Sequence, residues 1–190
     1  MGKGELHLIC GPMFAGKTST LIKKLEDYAK KGKRVEVLKP TRDTRYSTTK
    51  IVSHDGVSLS CICVGRLDEF PCRCEEIYRN SEVIGIDEGQ FFEDLVEFCK
   101  QAIDEDEKVV IVAGLDGCQK RRKFGKILDL VPDSDSIEKL NARCGICSKP
   151  APFTFRTVPD SENMIGGAES YTALCRECHT NEDIKRDLLN

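Results

Sequence analysis

Nothing in this 190-residue chain is long and apolar enough to read as a membrane span, because no run of 18 apolar residues occurs. Membrane partners are therefore not expected. The opening Met1-Gly2-Lys3-Gly4-Glu5 has no apolar stretch of the kind an export signal needs, and Leu6 breaks the N-terminal myristoylation pattern. Positive charge is not in excess either: 29 Lys and Arg stand against 32 Asp and Glu, for a net charge of −3, with the two signs interspersed. A broad basic face for nucleic acid is not expected from that balance. An aromatic and basic stacking surface for single strands is also missing. These absences leave a cytoplasmic, soluble, globular chain, and its 39% hydrophobic and 32% charged content suits one. The length fits one full domain with a small appendage.

Cysteine, by contrast, is plentiful, at eleven residues. In a chain without an export signal, that count points to reduced thiols and a metal site rather than a disulfide framework.

The clearest stretch is Gly11-Pro12-Met13-Phe14-Ala15-Gly16-Lys17-Thr18, which has the form G-x-x-x-x-G-K-T. The apolar run Leu6, Leu8, Ile9, Cys10 precedes it. Leu21, Ile22, Leu25, Tyr28 and Ala29 follow at helical spacing, and Gly32 ends the pattern. Strand, glycine-rich loop and helix are the setting in which this motif binds phosphate. Its glycines let backbone N–H groups turn inward around an anion, and the helix presents its positive end to the same point. Lys17 then reaches the terminal phosphates and the Thr18 hydroxyl ligates Mg²⁺.

Arg34 to Lys39 reads as a second strand ended by Pro40. The polar loop after it, with Asp43, Arg45 and Tyr46, lies at the expected C-terminal edge of the sheet, open to either a ligand contact or a solvated loop. Residues 50–64 suggest a hairpin around Asp55-Gly56, and a short helix is expected over Glu75 to Arg79. Cys61, Cys63, Cys72 and Cys74 are spaced too tightly for zinc knuckles and read as free thiols. Glu82 to Ile86 is a buried parallel strand running into Asp87-Glu88. One carboxylate there can hold Mg²⁺ and the next can take a proton from an attacking nucleophile. An amphipathic helix over Leu95 to Ile103, a buried strand over Val109 to Ala113 and the loop Gly114-Leu115-Asp116-Gly117 follow. Strands alternating with helices give an α/β fold with a mainly parallel sheet flanked by helices. The basic run Lys120 to Lys123 is read as a solvated face or a phosphate contact.

From Cys144 the character changes. Cys144-Gly145-Ile146-Cys147 and Cys175-Arg176-Glu177-Cys178 are two C-x₂-C knuckles, with 27 residues between Cys147 and Cys175. Four such thiolates make a closed structural Zn²⁺ site. The division expected is a nucleotide-binding domain over 1–141 and a zinc-binding segment with a terminal tail over 142–190. An apparent strand over Phe153 to Val158 and a short helix or tail from His179 lie within the latter.

Taken in order, Gly11 to Thr18, Asp43-Thr44-Arg45-Tyr46, Ile84 to Phe92, Gly114 to Gly117, the knuckles and Ile165-Gly166-Gly167-Ala168 resemble the cytosolic, zinc-containing thymidine kinases over Leu6 to about Cys178. The resemblance implies transfer of the ATP γ-phosphate to the 5′-hydroxyl of thymidine, in nucleotide salvage. It implies Glu88 as catalytic base, and Lys17, Thr18 and Asp87 as phosphate and Mg²⁺ residues. Gln90 joins the nucleotide site, Arg45 and Arg156 lie near the phosphates, and Asp43 lies near the metal. It also implies a zinc-held lasso closing over the nucleoside, whose backbone from Val158 to Tyr171, including Ile165, Gly166 and Gly167, holds the base. A homotetramer inhibited by the triphosphate end product is implied too. Met13, Phe91, Leu115, Phe124 and Tyr171 map to the wall around the base, where each reads equally well as ordinary core.

One departure stands out. Where the family reads Thr-Phe-Gln-Arg-Lys-Pro-Phe after the glycine matching Gly117, the chain has Cys118-Gln119-Lys120-Arg121-Arg122-Lys123-Phe124. Gln119 in place of an aromatic leaves room for broader specificity, with deoxyguanosine the candidate. Two other classes fit parts of the pattern. A zinc-containing, nucleic-acid-dependent ATPase would share the motifs but not the acidic balance, and a non-catalytic zinc adaptor would have no use for Lys17 and Glu88.

Overall fold

Leu6, Leu8 and Ile9 are buried on both faces of β1 (Glu5–Cys10), as a strand in the middle of a parallel sheet must be. The computed structural model describes residues 4–42, 50–52, 56, 58–158 and 166–188. Asp43, Arg45, Tyr46 and Ile165 lie outside the described residues. From β1 the chain turns through the glycine-rich loop into α1 (Lys17–Lys30), which buries Leu21, Ile22 and Leu25. Gly32, at φ +79°, closes the helix with its N–H on the Ala29 carbonyl at 2.9 Å.

β2 (Val35–Pro40) follows, with Pro40 as its last residue. The expected hairpin is present as β3 (Lys50–Val52) and β4 (Ser58–Ser60), but the pattern splits after Cys61, and β5 (Ile62–Val64) pairs with β2 instead. α2 (Glu69–Arg73) takes Pro71 in its first turn, where a missing N–H costs no helical bond. α3 (Glu75–Asn80) matches the short helix expected there. β6 (Val83–Ile86) leads to a 3₁₀ turn at Gly89–Phe91. The next helix, α4 (Leu95–Lys100), runs on as a π turn over Gln101–Glu105, so the stretch is continuous but not uniformly α. After β7 (Val109–Gly114) come a 3₁₀ segment, Ile127–Asp133, and β8 (Ser136–Lys139). Short strands β9 (Ala142–Arg143), β10 (Pro150–Ala151), β11 (Phe153–Arg156) and β12 (Tyr171–Leu174) precede α5 (Arg176–Leu188).

The six-stranded sheet has the order β5-β2-β6-β7-β1-β8 and is parallel at every pairing. Strand periodicity divides its side chains between two cores. Leu6, Leu8, Ile84, Ile86, Val110 and Val112 face α4 and Phe70, Phe92 and Phe98. Ile9, Val83, Ile111 and Ala113 face α1 through Leu21, Ile22 and Leu25. Gly85 lies under the helix, where a Cβ would sit 2.6 Å from Leu25 Cδ1. A third, smaller cluster gathers Ala142, Cys144, Ala151, Phe155, Leu174 and Cys175 around β9 to β12, with Ala15 of the glycine-rich loop packed against it. Among the described residues no helix is long and apolar enough to cross a membrane.

Candidate active site

Because the sheet is parallel, β1, β6 and β7 all release their chains at one edge. The glycine-rich loop, Asp87-Glu88 and Gly114–Gly117 therefore meet there. The loop is held in a conformation that requires its glycines. Gly11 has φ +145°, and a Cβ there would come 2.4 Å from the Leu140 carbonyl oxygen. Gly16, at φ +79°, starts α1 in the left-handed region. Lys17 Nζ donates to the Pro12 carbonyl at 2.6 Å, bridging the loop. The Thr18 hydroxyl lies 3.2 Å from each Asp87 carboxylate oxygen, and Asp87 is only 6% exposed. β7 separates β1 from β6 in the sheet, so this contact crosses two strand spacings, about 9.6 Å. A hydroxyl and a buried carboxylate paired at the head of a helix form the donor set that divalent magnesium takes.

Glu88 follows at φ +53°, a left-handed conformation that costs a non-glycine residue about 1–3 kcal/mol. The 3₁₀ turn after it brings Gln90 Nε2 to Glu88 Oε2 at 2.6 Å, while Gln90 Oε1 accepts the Leu115 N–H at 2.9 Å. Gln90 was expected among the nucleotide contacts, and its amide is engaged by these two neighbours. Phe91 and Phe124 meet edge to face with centroids 5.6 Å apart. Leu115, the first residue after β7, is half-buried. Asp116 is anchored by Lys139 of β8 at 2.6 Å.

The cysteine-rich C-terminal region touches the same edge. Thr154 on β11 accepts the Met13 N–H at 3.0 Å, with both residues buried. This contact spans 141 residues, and no local sequence signal announces it. Arg156, 2% exposed, lies over the Tyr171 ring at 5.9 Å, its cross-strand partner in β11 and β12. Gly167 accepts the N–H groups of Ser170 and Tyr171 at 3.1 Å each, turning the chain from Gly166 into β12. The backbone carbonyl of Gln119 faces His179 Nε2, 3.3 Å away on α5. His179 is itself wedged edge-on against Phe153 and Phe155. Lys120 to Lys123 are exposed. Within the run, Lys123 pairs with Asp129 at 2.6 Å and Arg121 lies over the Phe153 ring.

The four expected zinc ligands come together. The Sγ atoms of Cys144, Cys147, Cys175 and Cys178 all lie within 4.8 Å of one another, with Cys147 and Cys175 at 3.6 Å. Sulfurs around Zn²⁺ with bonds of about 2.3 Å stand about 3.8 Å apart, so the cage fits the ion. Burial works against a charged Cys144, but the backbone N–H groups of Cys175, Cys147 and Ile146 outweigh it and bring the thiol down to about 6. A thiolate is the form that binds metal. Burial pushes the Cys178 thiol up, and Cys61 is pushed up to about 12 by burial, with its neighbour Cys63 adding to the rise. Among the described residues the metal-type cluster of three or more side chains is the Cys144–Cys178 set alone.

Comparison with known proteins agrees with this geometry. The family model described as thymidine kinase matches residues 4–179. "Thymidine kinase a" of Arabidopsis thaliana is 45% identical over 178 residues, covering 93% of this chain and 75% of that protein. "Thymidine kinase, cytosolic" of Gallus gallus is 40% identical over 181 residues, covering 93% and 77%. "Thymidine kinase" of Monkeypox virus is 41% identical over 180 residues, covering 94% and 98%. With a family match over nearly its whole length and relatives of this closeness, the chain belongs to the thymidine kinase family.

Proposed function

We propose that the chain transfers the γ-phosphoryl group of ATP to the 5′-hydroxyl of thymidine. The observation that carries this reading is the convergence of the Thr18 hydroxyl, the buried Asp87 carboxylate and Glu88 at the mouth of the glycine-rich loop. The backbone of Gly11, Pro12, Met13, Phe14, Ala15 and Gly16, with Lys17, cradles the phosphates. Thr18 and Asp87 would hold Mg²⁺, which when bound offsets the charge that builds on the transferring group. Glu88 accepts the proton of the 5′-hydroxyl. The nucleoside oxygen bonds to the γ-phosphorus, the bridging P–O bond breaks, and ADP leaves with that electron pair. Arg156 and Arg45 bring positive charge to the phosphates, and Asp43 supports the metal. Met13, Phe91, Leu115, Phe124 and Tyr171 wall the base, while the backbone through Ile165, Gly166 and Gly167 hydrogen-bonds its edge. Closing this lasso excludes water, which would otherwise accept the phosphoryl group.

The same reading takes 1–141 as the nucleotide-binding domain and 142–190 as the zinc-held lasso. It takes the active form as a cytoplasmic homotetramer inhibited by its triphosphate end product. The broader, deoxyguanosine-accepting reading and the nucleic-acid-dependent ATPase are not favoured. The family model and the relatives carry the thymidine kinase name. Assay of a deoxynucleoside panel with Mg·ATP tests the substrate, and thymidine should be phosphorylated first. In parallel, Glu88→Gln should keep ATP binding while losing about 10²–10⁴-fold in turnover, the usual contribution of a positioned base. Near-native turnover by that variant would remove Glu88 from the chemistry.

A further inference from the structure

We propose that Gln90 is a positioning residue for Glu88: its amide fixes the carboxylate and locks it to the loop that leaves β7. The proposal rests on the reading of Glu88 as the base.

The geometry is specific. One end of the Gln90 side chain donates to Glu88 Oε2 at 2.6 Å, and the other accepts the Leu115 N–H at 2.9 Å. A backbone N–H can only donate, so the amide oxygen must face Leu115 and the NH₂ must face Glu88. The residue is 4% exposed, and glycines of two segments approach it closely. A Cβ on Gly114 would stand 2.4 Å from Gln90 Oε1, and one on Gly125 would stand 2.1 Å from the Gln90 carbonyl oxygen. Gly114 thus leaves the room in which the side-chain amide sits, and Gly125 leaves room for the Gln90 main chain.

The chemistry of that slot selects glutamine. Methionine or leucine would fill the space but leave the Leu115 N–H without an acceptor. Glutamate would satisfy Leu115 but set a second carboxylate against Glu88, and like charges that close disfavour ionisation of both. Only an amide offers an acceptor at one end and a donor at the other. Glu88 extends from a left-handed backbone, so a hydrogen bond from a buried neighbour fixes which way its carboxylate points. A base must be within hydrogen-bond reach of the hydroxyl it serves, and a misplacement near 1 Å costs about 10²-fold.

The test is steady-state kinetics on the Zn²⁺-loaded protein with Mg·ATP and thymidine, for the native chain, Gln90→Glu, Gln90→Met, Glu88→Gln and the double variant Glu88→Gln/Gln90→Glu. Gln90→Glu should lose about 10- to 100-fold in kcat with both KM values within about 3-fold of native. It should cause little further loss when added to Glu88→Gln, because the group it positions is already gone. Gln90→Met should lose kcat similarly and also melt earlier, from the orphaned Leu115 N–H. The proposal is overturned if Gln90→Glu keeps native kcat. It is equally overturned if the fold-loss is the same in the native and Glu88→Gln backgrounds, or if the loss falls on KM and melting temperature alone. Native turnover by Glu88→Gln would instead overturn the base reading itself, an outcome distinct from a failure confined to Gln90.

Discussion

Gly32 and Gly125 both hold a left-handed backbone, at φ +79° and +59°, yet a Cβ would meet nothing within 4 Å at Gly32 and the Gln90 carbonyl oxygen at 2.1 Å at Gly125. Conformation alone sets the cost of Gly32→Ala, about 1 kcal/mol. Gly125→Ala adds displacement of a buried backbone oxygen, so its cost should reach about 2–4 kcal/mol. Urea melts of the two variants read the difference directly, and equal midpoints would show that the Gln90 turn can yield. The pair also marks what residues disclose in sequence. Gly32 is legible because a helical pattern stops there. Gly125 is not, because the atom that excludes a side chain belongs to Gln90 and no local pattern links the two. Lys17, Thr18, Asp87 and Glu88 are legible for the same local reason as Gly32: each stands at the end of an apolar run or inside a short motif. Gln90 was expected in the nucleotide site only through the family resemblance, and its two-sided role needs Leu115 brought alongside by β7.

At the scale of elements, β1, α1, β2, β6 and β7 could be read from their apolar periodicity, because buried parallel strands and an amphipathic helix write their burial into the sequence. β8 could not be. It sits at the sheet edge, Ser136, Ile137, Glu138 and Lys139 are all exposed, and no apolar pattern remains to find. The contact between elements that matters most for the site is equally silent: β11 supports the glycine-rich loop through Thr154 and the Met13 N–H. Thr154→Val keeps the shape and β-branching but removes the acceptor, leaving a buried N–H unsatisfied at about 1–3 kcal/mol. The loop should loosen where it meets phosphate. ATP affinity should then fall by about 5- to 10-fold, some 1.0–1.4 kcal/mol, with the thymidine KM changed less. Titration calorimetry with ATP checks this, and unchanged ATP affinity would show that the loop holds its shape without β11.

At the scale of the whole molecule, two kinds of cohesion meet. The six-stranded sheet has large apolar layers on both faces and owes nothing to a metal. The region from Ala142 onward has a small cluster in which three of the eight buried members, Cys144, Cys175 and Cys178, are themselves expected zinc ligands. Too little apolar surface is buried there to offset the entropy of ordering the chain, so a zinc ion held by the four thiolates would have to close it. Removing zinc should therefore not act evenly. Hydrogen exchange after chelation should speed up over 142–188, where the metal is the tie. A second, smaller effect should appear at two remote places: Met13, whose N–H loses Thr154, and the turn around Gln119, whose carbonyl loses His179. β1, β6 and β7 should keep their protection because their ladders and both helix layers are untouched. ATP affinity should weaken with the loop, so metal loss would reach the phosphate site without any zinc ligand approaching substrate. The same pattern should follow from Cys175→Ser, which removes one ligand without adding chelator. Uniform acceleration across the sheet would mean the two parts unfold as one unit. Acceleration confined to 142–188, with Met13 unmoved, would mean that Thr154 follows the sheet and not the metal.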